Sequence, residues 1–216
     1  MIARRTIRHF VGLAALAVSV SAHAGRPLTV DDANVNDVGA GHVEMWYSRL
    51  PGKINTWNVA PAYSPIKEIE FSALVSRDMT GRLTTTAAQA KWRMTASNPD
   101  GCNLGMTLGI SHGSGGIGNS PYVNGIATCN HKGGAFHLNF GISHPNGSKA
   151  LGNWGVAYER EISGMTAHVE VFGQEEGKPT TQLGLRKDIA QGLQLDGTVG
   201  RSDGDTVFSV GLKKSF

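Results

Sequence analysis

The chain has 216 residues; 29 are glycine, 40% are hydrophobic and only 17% are charged. Arg4, Arg5 and Arg8 precede a short apolar run that ends in Ala-His-Ala at residues 22–24, the pattern of an export signal cleaved after residue 24. Without those three arginines, 17 Lys and Arg balance 17 Asp and Glu. The formal charge of +3 therefore supports neither a nucleic-acid partner nor an acidic membrane surface.

The composition after the signal favours strands over helices. No later segment approaches the roughly 18 to 20 consecutive apolar residues of a membrane-spanning helix. Apolar and polar residues alternate instead, as expected when one face of each strand meets lipid and the other meets a polar lumen. We therefore predict an all-β fold, a transmembrane antiparallel β-barrel of the outer-membrane type.

Twelve alternating segments of about ten residues follow one another, separated by turn signals that contain Gly or Pro. An even strand number is typical of bacterial barrels. Residues 1–24 are the predicted signal peptide, residues 25–40 a periplasmic segment able to enter the lumen, and residues 41–216 the barrel. The predicted strands are residues 42–50, 55–64, 67–77, 83–95, 102–112, 120–130, 134–144, 151–161, 164–174, 180–189, 192–200 and 206–216.

A soluble β-sandwich would also alternate, but the aromatic residues favour the barrel. Aromatic side chains near strand ends, on the apolar face, are typical of the belts at the two membrane interfaces. With both termini periplasmic, the longer loops after the fifth, seventh and ninth strands point outward, whereas the turns after the third and fourth strands fit this rule poorly. The aromatic residues in belt positions are Trp57, Tyr63, Trp92, Trp154, Tyr158 and Phe216.

Short motifs at both ends of the mature chain resemble a known family. The chain opens with Arg-Pro-Leu at residues 26–28, Asp-Asp-Ala at residues 31–33, and Gly41 ahead of the first strand. It closes with the stretches AHVEVFGQ, QLGLRKDIAQGLQLDGTVGR and VFSVGLKKSF. These stretches resemble proteobacterial outer-membrane barrels catalogued as meta-pathway phenol-degradation proteins, while residues 60–150 match by architecture only.

The resemblance implies an outer-membrane barrel and passage of small apolar or aromatic compounds. The family name reflects an association with degradation pathways and gives no evidence of catalysis. Lys214 departs from the pattern, because such terminal strands usually carry an apolar residue or Tyr there.

The final strand is expected to close the barrel. In barrels of this kind the terminal strand, here ending at Phe216, resembles the signal read by the barrel-assembly machinery, and its pairing with the first strand leaves no open edge. Val210 falls on the lipid face, where an arginine would be costly. The same change at Ser209, on the lumen face, is expected to be mild.

Polar side chains on the other face of strands eight to twelve are predicted to line the lumen. In one interpretation, opposite charges on neighbouring strands pair across the interior and hold the register. In the other, which can hold at the same time, they line a polar path. The residues are Glu159, His168, Glu170, Gln182, Arg186, Asp188, Gln194, Asp196 and Lys213.

Cys102 and Cys129 are the only cysteines in the sequence. If the hairpin of strands five and six turns around residues 114–116, positions whose numbers sum to about 231 face each other, as these two do. The oxidising cell envelope favours a disulfide between such neighbours. We predict that bond, with a structural role; two buried free thiols are the alternative.

The stretches ISHGSGG and ISHPNGS are the candidates for chemistry. Outer-membrane phospholipases and lipid A deacylases carry a His and a Ser two residues apart on a barrel strand, and His112 and Ser114 resemble that step. A serine nucleophile needs a base within hydrogen-bond reach and a group that orients the base. Gly115 replaces the Asn that follows the Ser in those enzymes. A polar outer rim is the interpretation we favour.

A metal site formed by histidines is disfavoured by the predicted topology. His131 lies at the end of the barrel opposite to His112 and His144, and His137 is the fourth candidate. The sequence has no phosphate-cradling loop, zinc-type cluster or nucleotide-binding motif, so we expect no cofactor.

The expected function is passive passage or binding of small solutes, apolar or aromatic compounds included, without enzymatic activity. The expected location is the outer membrane of a Gram-negative cell, with outer-membrane lipid, the assembly machinery and a small-molecule solute as partners. The alternatives are a lipid acyl hydrolase that uses Ser114 and His112, and a structural envelope protein without transport.

Overall fold

The computed structural model describes residues 26–216, so the predicted signal peptide, residues 1–24, lies outside the described residues. Twelve strands form a closed barrel in which each strand pairs antiparallel with its neighbours in sequence and the last pairs with the first. The strands are β1 (Gly41–Arg49), β2 (Asn55–Ile66), β3 (Ile69–Asp78), β4 (Thr84–Arg93), β5 (Cys102–Gly113), β6 (Gly118–His131), β7 (Gly134–Ser143), β8 (Leu151–Ile162), β9 (Met165–Gln174), β10 (Thr180–Ala190), β11 (Leu193–Ser202) and β12 (Asp205–Ser215).

The predicted fold class is confirmed: the fold is a twelve-stranded antiparallel barrel with one short 3-10 turn, Pro51–Lys53. Within residues 26–216, no helix has the length and apolar character needed to span a membrane. Strand β2 runs on to Ile66, through a stretch predicted as a turn. A register shift between Tyr63 and Ile66 accompanies this extension, and an irregularity of this kind is where a strand tolerates proline.

The two faces of the strands are opposite in polarity to those of a soluble sandwich. On the outer face, Leu108, Phe140 and Val210 are 62%, 68% and 54% exposed. On the lumen face, Thr107 and Thr128 are fully buried. An apolar exterior around a polar interior is the arrangement that a hydrocarbon environment stabilises.

Closure joins the two ends of the barrel sheet. Gly41 and Phe216 exchange two backbone hydrogen bonds of 2.9 Å, and His42 to Arg49 pair in register with Ser215 to Phe208. The predicted pairing of the last strand with the first is therefore confirmed. We call this end of the barrel the terminal end and the opposite end the distal end.

Turns at the terminal end have two residues each, except the connection between β4 and β5. There the side chain of Asn103 accepts a hydrogen bond from Asn98 N at 2.6 Å and donates one to Asn98 O at 3.0 Å, which organises the longer loop. At the distal end, Lys149 and Glu176 join two loops through an ion pair of 2.9 Å. The Glu176 carboxylate accepts a hydrogen bond from Lys149 and raises the pKa of that ammonium group.

The aromatic belts lie as the sequence predicted. Five of the six aromatic residues lie at outward-facing positions of their strands. Phe216 comes directly after β12, at the position where the next outward-facing residue of that strand would lie. Trp57 and Trp154 lie near the distal end, and Tyr63, Trp92, Tyr158 and Phe216 near the terminal end.

The disulfide between Cys102 and Cys129 is present, and the two residues are direct partners in the β5–β6 register. Every pair in this hairpin, from Cys102 and Cys129 to Gly113 and Gly118, follows the predicted spacing. The bond lies on the outer face at the terminal end, so its role is to join two strands.

Candidate functional site

The N-terminal segment Arg26–Asn36, called the plug below, lies inside the barrel. Leu28, Val30 and Ala33 are at most 5% exposed. Leu28 and Val30 pack with Ala157 and with the partly buried Phe172 in a small apolar cluster on the lumen wall. The plug forms no strand, so its buried backbone groups depend on the barrel for hydrogen bonds.

Three lumen carboxylates accept hydrogen bonds from the plug backbone. Glu170 accepts from Thr29 N at 2.8 and 3.1 Å and from Val30 N at 2.8 Å. Glu44 accepts from Arg26 N at 3.2 Å. Glu70 accepts from Asn36 N at 3.0 Å. Hydrogen bonds to ionised acceptors are stronger than neutral ones, so these carboxylates fix the path of the main chain.

Neutral side chains complete the recognition of the backbone. Asn139 accepts from Asp31 N and donates to Asp31 O, both at 2.8 Å, as a neighbouring strand would. Thr128 Oγ1 accepts from Ala33 N at 2.9 Å, and Gln194 donates to Arg26 O at 2.9 Å. The barrel therefore binds the plug largely through main-chain atoms.

Two ion pairs anchor the charged side chains of the plug. The guanidinium of Arg26 pairs with Asp196, and the ammonium of Lys91 lies 2.7 Å from Asp31 Oδ1. Lys91 also donates to Asp32 O at 3.2 Å. A buried charge without a partner is costly. The two ion pairs therefore favour the docked position of the plug, in which all four charges have partners.

Glycines on the lumen face give the plug its room. A Cβ atom at Gly155 would lie 2.7 Å from Val30 Cγ2, and one at Gly211 would lie 2.8 Å from Arg26 Nε. At these two places a side chain larger than hydrogen would displace the plug.

The residues predicted to line the lumen fall into two groups. One group contacts the plug: Glu170, Gln194 and Asp196 do so as described, and Gln182 donates to Thr29 Oγ1 at 3.2 Å. In the other group, Arg186 pairs with Glu159 at 2.7 Å, and Lys213 lies 3.8 Å from Glu44 Oε1.

Two further predicted residues differ in burial. His168 is buried, with Nε2 3.7 Å from Glu170 Oε1, whereas Asp188 is exposed near the C-terminal end of β10. The imidazole ring of His168 fits there because residue 184 is glycine. A Cβ atom at that position would overlap the ring.

Sequence reasoning missed the lumen residues of the first seven strands. Glu44, Glu70, Lys91, Thr128 and Asn139 all bind the plug, but the prediction named lumen residues only from strands eight to twelve. The signal was the same alternation, which places these five side chains on the polar face of their strands. The alternation does not indicate that these side chains bind the plug.

A small cavity lies against one side of the plug. A cavity of about 50 Å³ adjoins Thr29 and Val30, with Tyr122, Asn124 and Phe172 among its lining residues. That volume holds about one or two water molecules.

The structure does not bring together the residues of the hydrolase alternative. His112 Nδ1 is hydrogen-bonded to Asn119 Oδ1 at 2.8 Å, and Ser114 Oγ accepts from Thr84 N at 2.8 Å. No hydrogen bond between His112 and Ser114 is found in the described part of the chain. Nor do residues 26–216 contain a group of three or more His, Cys, Asp or Glu side chains that could hold a metal ion.

Solved structures with the same fold are outer-membrane barrels. The KdgM porin matches with a TM-score of 0.68 and 13% identity, over 81% of this chain and 99% of its own. The COG4313 outer membrane channel from Pseudomonas putida F1 matches with a TM-score of 0.60 and 12% identity, over 86% and 98% of the two chains. Outer membrane phospholipase A from Escherichia coli matches with a TM-score of 0.50 and 12% identity, over 92% and 95%.

At these identities the matches establish the fold, which is the barrel class that the sequence resemblance implied. No curated protein matches the sequence significantly. The sequence model of one family, described as Uncharacterised conserved protein UCP029691, matches residues 12–206. This match covers more than half of the chain, and the protein belongs to that family.

Proposed function

We propose that the protein is an outer-membrane channel for small polar solutes, and that its own N-terminal segment closes it. The observation that carries the proposal is the mode of plug binding. Lumen side chains bind the plug through backbone atoms and two ion pairs, and the plug has no strand pairing with the barrel. A segment bound in this way can leave without opening the sheet, and its departure exposes a polar passage.

The comparisons support a channel, because two similar structures are described as a porin and as an outer membrane channel. Twelve strands also lie between the filled eight-stranded barrels and the open sixteen-stranded porins. The outer membrane of a Gram-negative cell is the location that fits an apolar exterior between two aromatic belts. Outer-membrane lipid and the machinery that recognises the last strand are then the partners of the barrel.

The lining favours polar solutes over purely apolar ones. Glu44, Glu70, Lys91, Glu170 and Asp196 are buried on the lumen face, and an apolar solute would leave such groups without partners. The resemblance to meta-pathway phenol-degradation proteins would add aromatic compounds to the solutes. Of these, the lumen favours hydroxylated ones, because a hydroxyl group can replace the hydrogen bonds that the plug makes.

The experiment is a permeation assay with purified protein in liposomes. Uncharged sugars of increasing size are added outside, and the swelling rate reports their entry. We expect slow entry through the wild type and fast, size-limited entry through a variant that lacks Arg26–Asn36. Heat-dependent migration in SDS shows that each barrel is folded. Equal, background entry through both folded forms would contradict a channel and favour a structural role.

The same samples test the hydrolase alternative. Release of fatty acid from phospholipid by the wild type, abolished by Ser114→Ala, would support it. We expect no release from either protein, because the hydrogen bonds of His112 and Ser114 go to different partners.

A further inference from the structure

The guanidinium of Arg26 lies in a pocket built from a carboxylate, a hydroxyl and an aromatic ring. Asp196 Oδ1 accepts a hydrogen bond from Arg26 Nε at 3.1 Å and a second from Nη2. Ser209 Oγ accepts from Nη2 at 3.1 Å. The Trp46 ring centroid is 4.8 Å from the guanidinium carbon. A planar, delocalised cation satisfies all three elements at once, which a compact ammonium group does not.

The plug does not use the whole of this pocket. Both bonds from Arg26 to Asp196 go to Oδ1, and Asp196 Oδ2 is buried without a hydrogen-bond partner among the residues that the structure describes. A carboxylate can bind a guanidinium through both oxygens. A guanidinium that is free of the plug backbone can therefore pair with Asp196 more completely than Arg26 does.

The cation that compensates the charge of Asp196 comes from the plug. Its ion pair is with Arg26, whereas Lys213 pairs with Glu44 and Arg186 with Glu159. When the plug leaves, Asp196 loses this cation and faces the open lumen, with Arg186 as its register partner on β10. Arg186 is paired with Glu159, so the vacated carboxylate is free to bind a new guanidinium group.

A second feature indicates that the lumen binds more of the ligand than its guanidinium group. Glu170 accepts the backbone N–H groups of Thr29 and Val30, three and four residues after Arg26. The lumen thus recognises a guanidinium together with amide N–H groups on the same molecule, as a peptide provides them.

We propose that the pocket of Asp196, Ser209 and Trp46 is a binding site for guanidinium solutes, in particular short arginine-bearing peptides, and that Arg26 occupies it in their absence. This inference rests on the proposed channel function, because the solute reaches the pocket through the lumen. The plug then competes with the solute for one site.

The test uses the full-length chain with Arg26→Ala, which vacates the pocket and leaves the rest of the plug in place. Calorimetry measures the binding of N-acetyl-arginine amide, with the citrulline analogue as the uncharged control and the lysine analogue as the ammonium control. We expect Arg26→Ala to bind the arginine probe at least about tenfold more tightly than the wild type does. We also expect this variant to bind the arginine probe at least about tenfold more tightly than it binds either control probe.

A second substitution locates the binding. Adding Asp196→Asn to Arg26→Ala should abolish the gain, whereas adding Asp188→Asn, which removes an exposed rim carboxylate from β10, should leave it unchanged. Because Asp196→Asn could also disturb folding, Gly211→Ala in the Arg26→Ala background provides a check that keeps the carboxylate. A Cβ there would lie 2.8 Å from the position of Arg26 Nε and 2.8 Å from Trp46 Cβ. It would therefore narrow the pocket itself, and the gain should again be lost.

The pocket is refuted if folded Arg26→Ala binds the arginine probe no better than the wild type, or if Asp196→Asn and Asp188→Asn have the same effect. The permeation assay separates this inference from the proposed function. Permeation without arginine binding refutes the pocket alone. Arginine binding without permeation by any form refutes the channel and supports the pocket.

Discussion

Glu170→Gln is the substitution that should weaken the plug most directly. The carboxylate of Glu170 accepts the N–H groups of Thr29 and Val30 and is also bound by Gln182 Nε2 at 2.7 Å. A hydrogen bond to a charged group contributes about 1.5 to 3 kcal/mol. Glutamine keeps the size, and because both backbone bonds go to Oε2, an amide oxygen in that place still accepts them. It accepts them without the charge, and since charge-assisted bonds are roughly twice as strong as neutral ones, the two bonds together lose about 1.5 to 3 kcal/mol. The ratio of undocked to docked plug should then rise by about 10- to 160-fold.

The assay is single-channel recording in a planar bilayer, where this ratio is the time spent conducting divided by the time spent closed. Glu159→Gln is the matched control, because Glu159 is also a lumen carboxylate but pairs with Arg186 and His137. We expect the control to alter ion selectivity and to leave the open fraction unchanged. An open fraction of Glu170→Gln equal to that of the wild type, with both barrels folded, would refute the role assigned to Glu170.

Three further predictions concern the plug, the disulfide and the lipid face. Gly155→Val should raise the open fraction without changing any plug residue, since the new side chain would meet Val30 in the docked state; bilayer recording checks this. Cys102→Ser removes a bond that closes a separation of 27 residues, which should cost at most about 3.5 kcal/mol and lower the temperature at which the barrel unfolds in SDS. Val210→Arg should cost about 2 to 4 kcal/mol, and Thr206→Arg, nearer the distal rim, about 0 to 1 kcal/mol, as measured by urea unfolding from liposomes.

The strands and their faces could be read from the sequence because a barrel repeats one local rule. A period of two residues places Val210 outward and Ser209 inward in the sequence and in the structure alike. The disulfide followed from the same rule together with the position of one hairpin turn. Both inferences needed only neighbours in the chain or across one hairpin.

The plug contacts could not be found in this way. Val30 and Glu170 are 140 residues apart, and the plug has no periodicity that would set its path. The idea that charges pair between strands holds for Glu44 with Lys213, which face each other on β1 and β12. It fails for Asp196, whose partner Arg26 lies outside the strands.

For the same reason we now expect arginine at position 209 to be costly, whereas the sequence alone predicted a mild effect. Ser209 is buried, and its hydroxyl lies 3.1 Å from Arg26 Nη2. A second guanidinium there would meet the first at close range. The sequence shows a polar lumen face but not that the lumen is occupied.

The central claim is that the plug closes a path through the barrel. Val30→Cys with Gly155→Cys can lock the plug, since a Cβ at position 155 lies 3.5 Å from Val30 Cβ, within the range that a disulfide spans. The lock is placed in the Glu170→Gln background, and bilayer current is recorded before and after a reductant, with Glu170→Gln alone as the control for reduction of the native bond. The account predicts no current from the oxidised lock and, after reduction, a current at least equal to that of the control. The same current before and after reduction, with the cross-link shown by mass spectrometry to form and to open, would contradict it.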